Sequence, residues 1–127
     1  VTNDNTIMGA VTSAQNHQGQ IVVDMMQVVN RVQRATQLLK MGCDVLCVHT
    51  AYDLQASHES PYLELQELRE HLPSAKLAIA GGVNLAKLDE ILPYDPDIIV
   101  VGGAITGAKN PAENARQLYK RINSYDN

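Results

Sequence analysis

The chain has 127 residues, of which 45% are hydrophobic, and this composition suits one domain over residues 1–127 with a packed core. A net charge of −4 and the lack of a basic stripe argue against a nucleic-acid partner held by general electrostatics. The sequence contains no apolar stretch that could span a bilayer and no signal-like segment, so we expect a cytoplasmic protein without a membrane partner.

Predicted helices and strands alternate along the chain. The helices show apolar residues at three- and four-residue spacing, whereas the strands are near-continuous apolar runs. In chain order, the sequence predicts a helix over 2–18, a strand over 20–26, a helix over 28–41, a strand over 44–50, a helix over 61–72, a strand over 76–80, a helix over 84–92, a strand over 98–101 and a helix from 111 to about 122. This alternation predicts parallel strands, either covered on both faces or closed into a barrel.

Polar residues and glycines mark the ends of these helices. The expected amino-terminal caps are Asn3 or Asp4, Ser60, Asn84 and Asn110. Pro111 in the first turn and Glu113, which can reach back to the cap, strengthen the last of these starts. Gly19 and Gly42 are expected to end the first two helices.

Two predicted strands run into glycine pairs, Gly81-Gly82 and Gly102-Gly103. Glycine lacks a Cβ, so its backbone can adopt positive φ and bring bare N–H groups close to an anion. Two such pairs after consecutive strands predict a phosphate site at the carboxyl ends of the strands. The alternative is that the glycines only let each strand turn sharply into a helix.

Polar side chains end the first two predicted strands. Asp24 places a carboxylate at the end of the first strand, and His49 places an imidazole at the end of the second. In a parallel sheet both groups would point into the same mouth as the glycine pairs. Taken alone, Asp24 suits a structural hydrogen bond and His49 suits a core histidine bonded to a backbone carbonyl. Four successive strand ends with site-like residues favour functional roles.

Four strings of the sequence carry a more specific likeness. They are VVDMM at 22–26, VHTAYDLQA at 48–56, AGGV at 80–83 and VGGAIT at 101–106. In these strings the chain resembles the 3-hexulose-6-phosphate synthase family of the orotidine-monophosphate decarboxylase superfamily. The resemblance implies an α/β fold, and a chain of 127 residues is too short for a whole (β/α)8 TIM barrel. We therefore expect only the carboxyl-terminal four βα units of that barrel, with parallel strands.

The resemblance implies a lyase of carbohydrate metabolism in the ribulose monophosphate pathway. Such an aldolase depends on Mg²⁺ and fixes formaldehyde onto D-ribulose 5-phosphate, which gives 3-hexulose 6-phosphate. By this resemblance, Asp24 would hydrogen-bond the sugar hydroxyls, and His49 would be a hydrogen-bond or proton-transfer partner of the enediolate. The residues that would hold the phosphate through backbone N–H groups are Gly81, Gly82, Gly102 and Gly103.

Differences between this sequence and the motifs of related enzymes refine this hypothesis. The related 3-keto-L-gulonate-6-phosphate decarboxylases usually carry Glu at the place of Asp24 and Arg at the places of Tyr52 and Gly103, and this difference favours the synthase. The superfamily's Asp-x-Lys-x-x-Asp motif, with its essential lysine and acidic metal-site residues, does not occur in this sequence. We therefore expect the Mg²⁺ ligands outside this chain, and Cys43 and Cys47 lack the paired spacing of a zinc site.

Two classes of function stay open. In the first, the chain is the carboxyl-terminal part of an aldolase, or of a decarboxylase-like lyase, that acts when the missing half is present. In the second, a noncatalytic half-barrel binds phosphosugars and pairs with itself as a homodimer, which covers its open sheet edges.

Overall fold

A computed structural model describes residues 2–49 and 61–125. Its helices and strands are, in chain order, α1 Asp4–Asn16, β1 Val22–Asp24, α2 Arg31–Lys40, β2 Val45–His49, α3 Pro61–His71, β3 Lys76–Ala80, α4 Leu88–Ile91, β4 Ile98–Ile99, α5 Gly103–Thr106 and α6 Pro111–Asn123. Within the described residues, none of the helices is long and apolar enough to cross a membrane. The predicted cap Ser60, Tyr52 and most of the string at 48–56 lie outside the described residues.

The strands of the described residues form one parallel sheet in the order β1-β2-β3-β4. The central strands β2 and β3 pair over their whole length, from Val45 opposite Lys76 to His49 opposite Ala80. The edge strands β1 and β4 have three and two residues, and within the described residues each pairs with one neighbouring strand. The parallel sheet that the sequence predicts is therefore confirmed, although both edge strands are shorter than expected.

The two faces of the sheet carry different side chains, because successive residues of a strand point to opposite faces. One set is buried against the helices in the main core and comprises Leu46, Val48, Leu77 and Ile79. The other set forms a separate buried cluster on the opposite face, called the inner face here, and comprises Val45, Cys47, Ala78 and Ala80. Asp24 lies opposite Cys47 in the sheet, and His49 follows Cys47 by two residues. Both therefore belong to the inner face.

Three predicted helix caps are confirmed. The side-chain oxygens of Asn3, Asn84 and Asn110 each accept a hydrogen bond from the backbone N–H three residues later, at 2.9, 3.2 and 3.2 Å. Each bond satisfies one of the donors that the first turn of a helix leaves free. The reciprocal bond expected from Glu113 is replaced by a forward ion pair, in which its carboxylate contacts Arg116.

Some predicted helix ends are shifted. Gly42 follows the end of α2 with a φ of 94°, as expected for a glycine that terminates a helix. After α1, the left-handed residue is Gln18, with a φ of 55°, rather than the predicted Gly19. The helix predicted from residue 28 begins only at Arg31, because Asn30 has non-helical φ and ψ angles of −106° and 74° and is the residue that caps the helix.

The region after β3 departs most from the sequence prediction. The continuous helix expected over 84–92 is wrong, because only Leu88–Ile91 is α-helical and the 3₁₀ turns Leu85–Lys87 and Leu92–Tyr94 flank it. Pro93 lacks a backbone N–H and cannot extend the α-helical hydrogen bonding. Helix α5, Gly103–Thr106, was not predicted, since a helix of four residues is too short to show an apolar period.

Candidate functional site

The carboxyl ends of the four strands lie at one edge of the sheet, and the candidate site residues are found there. Asp24 and His49 are the last residues of β1 and β2. Gly81 directly follows β3, and Gly102 comes shortly after β4. Because neighbouring parallel strands run in the same direction, their carboxyl ends lie side by side. The structure thus places both polar residues and both glycine pairs at the same edge.

Asp24 and His49 form a hydrogen-bonded pair across β1 and β2. The distance from Asp24 Oδ2 to His49 Nδ1 is 2.6 Å, which is short for a nitrogen donor and typical of a charge-assisted bond. The second carboxylate oxygen, Oδ1, accepts a hydrogen bond from the backbone N–H of Met26 at 2.8 Å. The side chains of His49 and Asp24 are 32% and 49% exposed, so a ligand can reach the pair. This arrangement can hold or move a proton at the imidazole.

The contact between Asp24 and His49 depends on the register of two strands that are 25 residues apart in sequence. Asp24 lies opposite Cys47, so His49 is its diagonal neighbour one pleat farther along β2. Sequence analysis predicted both groups at this edge and did not predict that they touch. The bond from the Met26 amide had a sequence signal, since aspartate often accepts a bond from the N–H two residues later in a turn.

The first glycine pair has the backbone that the sequence predicts. Gly81 and Gly82 have φ values of 88° and 66°, both in the left-handed region that side chains disfavour. Successive residues with such unusual φ angles turn the backbone sharply after β3 and can direct N–H groups toward an anion. Replacement of either glycine by a larger residue would strain the backbone.

The second glycine pair does not use positive φ. Gly102 has a φ of −108° and stands before α5, whose first residue is Gly103. A Cβ added at either position would meet no described atom within 4 Å. These two glycines are therefore not required by the packing of the described residues. Their lack of side chains leaves an open approach to the backbone at the edge of the sheet.

A model of the orotidine 5'-phosphate decarboxylase / HUMPS family matches residues 1–118. The chain belongs to this family. The chain is 41% identical over 121 residues to the 3-hexulose-6-phosphate synthase of Bacillus subtilis (strain 168), and the match covers 95% of this chain and 58% of that enzyme. It is also 41% identical over 122 residues to the enzyme of the same name from Staphylococcus epidermidis, with 96% and 58% covered.

Solved structures of the orotidine 5'-phosphate decarboxylase / HUMPS family share this fold. The crystal structure of 3-hexulose-6-phosphate synthase from Salmonella typhimurium superposes with a TM-score of 0.92 at 32% identity, and the match covers 99% of this chain and 60% of that one. The chain spans about 58% of the length of the two curated relatives named above. The α/β fold with a parallel four-stranded sheet agrees with these relatives.

The resemblance implies Mg²⁺, so we ask whether the described acidic and histidine side chains could form a site for this ion. In the part of the chain that the structure describes, no three His, Cys, Asp or Glu side chains lie close enough together to hold a metal ion. Asp24 and His49 supply a pair, and Mg²⁺ requires an octahedron of mainly oxygen ligands. The described residues therefore do not fit a Mg²⁺ site, and we derive no step of the reaction through the ion.

The buried thiol of Cys47 is expected to make the stability of the fold depend on pH. Burial and, second, the negative charge of Asp24 raise the pKa of Cys47 from its ordinary value of 9.0 to about 11. As the pH rises through this interval, the unfolded chain loses its thiol proton first, so the folded state loses stability by about 1 kcal/mol per pH unit. Well below pH 9 the thiol is neutral in both states and contributes no slope.

Urea unfolding of the wild type and of Cys47→Ala between pH 8 and 10.5 measures this effect. The other ionisable side chains are the same in both proteins, so the difference between the two curves isolates the thiol. We expect the free energy of unfolding to fall more steeply above pH 9 in the wild type. Parallel curves would contradict the prediction.

Proposed function

We propose that this chain forms the carboxyl-terminal four βα units of a (β/α)8 barrel. The complete enzyme would join formaldehyde to D-ribulose 5-phosphate and release 3-hexulose 6-phosphate. The observation that carries the proposal is the placement of the Asp24–His49 pair and of both glycine pairs at one edge of the sheet. The identity to synthases of two organisms supports the choice of reaction.

Each group at this edge has a proposed role in the aldol reaction. The backbone N–H groups of Gly81, Gly82, Gly102 and Gly103 would bind the phosphate and anchor the sugar. The Asp24–His49 pair would lie beside the reacting carbons, where His49 would transfer or hold a proton while the enediolate attacks the aldehyde carbon. Bound phosphate also fixes the position of the distant reacting carbons, which lowers the entropic part of the barrier.

The residues at two described positions favour the synthase reaction over that of the 3-keto-L-gulonate-6-phosphate decarboxylase. The decarboxylases usually carry Glu at the place of Asp24, whose carboxylate here contacts His49 Nδ1 at 2.6 Å and accepts the Met26 N–H at 2.8 Å. The open space where a Cβ of Gly103 would lie suits a direct approach of phosphate to the backbone, whereas the decarboxylases usually place Arg there. Any Mg²⁺ would take its ligands from outside the described residues.

A noncatalytic, phosphosugar-binding homodimer is the second candidate, and apolar exposure on the inner face favours it. Val22 and Ile98, on the two edge strands, are 53% and 41% exposed, and Val100 just beyond β4 is 48% exposed. A second copy could cover these side chains and the free strand edges. In either case we propose a cytoplasmic protein that binds a phosphorylated sugar.

A chimeric enzyme tests the aldolase proposal. The matching part of the Bacillus subtilis synthase is replaced by this chain, and formaldehyde-dependent loss of D-ribulose 5-phosphate is measured with Mg²⁺ present. We expect activity that depends on His49, with a decrease on the order of 100-fold or more in His49→Ala. The matched control is His17→Ala, since the His17 ring bonds the Ser13 carbonyl at the end of α1, outside the candidate site.

The folding of the chimera is checked by circular dichroism before activity is interpreted. A folded chimera that binds D-ribulose 5-phosphate without turnover would favour the noncatalytic candidate. A folded chimera that neither binds nor turns over the sugar phosphate would overturn both candidates. Turnover of 3-keto-L-gulonate 6-phosphate instead of the aldol reaction would favour the decarboxylase.

A further inference from the structure

We infer that Asp24 acts on the substrate mainly through His49, as a positioning residue. Its carboxylate holds the neutral imidazole in the tautomer that carries the proton on Nδ1 and leaves the lone pair of Nε2 free for the substrate. The catalytic meaning of this tautomer rests on the proposed function, whereas the tautomer itself is a property of the chain.

The hydrogen-bonding capacity of the two groups determines the tautomer. An ionised carboxylate can only accept hydrogen bonds, and a neutral imidazole has one donor and one acceptor nitrogen. At 2.6 Å from Asp24 Oδ2, His49 Nδ1 is therefore the donor. The proton on Nδ1 leaves Nε2 as the acceptor. Among the described residues, no hydrogen bond reaches His49 Nε2.

Asp24 is itself held in place by the backbone. Its Oδ1 accepts the Met26 N–H at 2.8 Å, so the carboxylate plane is fixed at both oxygens. The backbone beneath it is fixed too, because the Met25 N–H donates to the Cys47 carbonyl at 2.9 Å. The carboxylate therefore orients the imidazole from a rigid support, and both of its oxygens already have partners before any sugar hydroxyl arrives.

This arrangement gives Nε2 a defined part in proton transfer. A proton leaves a carbon or hydroxyl of the sugar for Nε2, and the electron pair of the broken bond stays on the substrate. The imidazolium that results carries one proton on each nitrogen and is stabilised by the Asp24 carboxylate. After the new carbon–carbon bond forms, Nε2 returns the proton to the alkoxide oxygen of the former aldehyde. Protons and electrons balance without another reactant.

Nitrogen NMR of the chain labelled with ¹⁵N-histidine tests the tautomer without any turnover. Spectra recorded over a pH series show which nitrogen carries the proton when the ring holds a single proton. The His49 signals are assigned by their loss in His49→Gln. We expect a protonated Nδ1 and an unprotonated Nε2 in the wild type. A protonated Nε2 would overturn the inference, whatever the activity of the complete enzyme.

The variant Asp24→Asn separates positioning from general structure. Its amide can donate to Nδ1, so we expect the proton of His49 to move to Nε2 in at least half of the molecules. The matched control is Asp89→Asn, which changes an exposed aspartate on α4 that pairs with Arg121 on α6 and should leave the His49 spectrum unchanged. An unchanged tautomer in folded Asp24→Asn would contradict the inference. If Asp24→Asn does not fold, the wild-type spectrum still shows whether His49 has the inferred tautomer.

Kinetics of the chimeric enzyme give a second readout. If Asp24 acts through His49, Asp24→Asn lowers kcat on the order of 100-fold and changes KM for the sugar phosphate less than threefold. A rise in KM with unchanged kcat would instead assign Asp24 to direct binding of sugar hydroxyls. An inactive wild-type chimera would count against the proposed function and leave the NMR result standing.

Discussion

Replacement of Arg69 by methionine is expected to lower the free energy of unfolding by about 3 kcal/mol. The Arg69 guanidinium lies where the segment after α3 meets the segment before β4. It donates hydrogen bonds of 2.7 to 3.0 Å to four backbone carbonyls, those of Pro73, Ala75, Tyr94 and Asp95. Methionine keeps much of the apolar stem but none of these donors. Partly buried carbonyls that lose a charged partner carry most of the expected cost.

Urea unfolding with a two-state analysis measures the change. Arg116→Met is the matched control, because Arg116 is 59% exposed and pairs with Glu113 one turn away on α6. Exposed ion pairs of this kind contribute about 0.5 kcal/mol or less. If Arg69→Met cost no more than Arg116→Met, the four carbonyl contacts would contribute little to stability, and the prediction would be wrong.

Arg69 also belongs to a network at the beginnings of the strands that lead to the glycine pairs. Its guanidinium lies 3.6 Å from the carboxylate of Asp97, and Asp97 Oδ2 accepts the Leu77 N–H at 2.9 Å. This network joins the beginnings of β3 and β4. The opposite ends of the same strands carry Gly81-Gly82 and Gly102-Gly103. The network therefore links β3 to the segment before β4 at the strand ends opposite the candidate site.

The elements that the sequence predicts best are those with strong local signals. The predicted bounds of β3 agree with Lys76–Ala80, where an unbroken apolar run ends at a glycine pair. Asn110 and Pro111 mark the start of α6, because the cap and the first turn of a helix depend on residues that are neighbours in sequence. The ends of β1 are predicted less well, because the length of an edge strand depends on the partner strand.

The candidate site was predictable in its location and not in its contacts. Each of the residues Asp24, His49, Gly81 and Gly102 follows an apolar run, and parallel strands bring such ends to one edge of the sheet. The bond between Asp24 and His49 requires a particular register of β1 against β2, and no local pattern in the sequence specifies that register. The non-positive φ of Gly102 likewise follows from α5, which was too short to be predicted.

Replacement of Gly103 by leucine is expected to weaken binding of inorganic phosphate and of D-ribulose 5-phosphate on the order of 100-fold. This expectation rests on the proposed phosphate site, in which backbone N–H groups bind the anion and few cations assist. A leucine side chain at Gly103 would occupy the space through which the phosphate approaches. The fold should tolerate it, because Gly103 is not among the positive-φ residues and its added Cβ meets no described atom within 4 Å.

Isothermal titration of the wild type and of Gly103→Leu with both ligands measures this loss, after circular dichroism has shown that the variant is folded. Gly9→Leu is the matched control, since a Cβ at Gly9 on α1 also meets no described atom within 4 Å and the residue lies outside the candidate site. The control should bind as the wild type does, because the same side chain is added away from the glycine pairs. Equal affinities in Gly103→Leu and the wild type would place the phosphate elsewhere. They would also remove the main support for a phosphosugar substrate at this edge of the sheet.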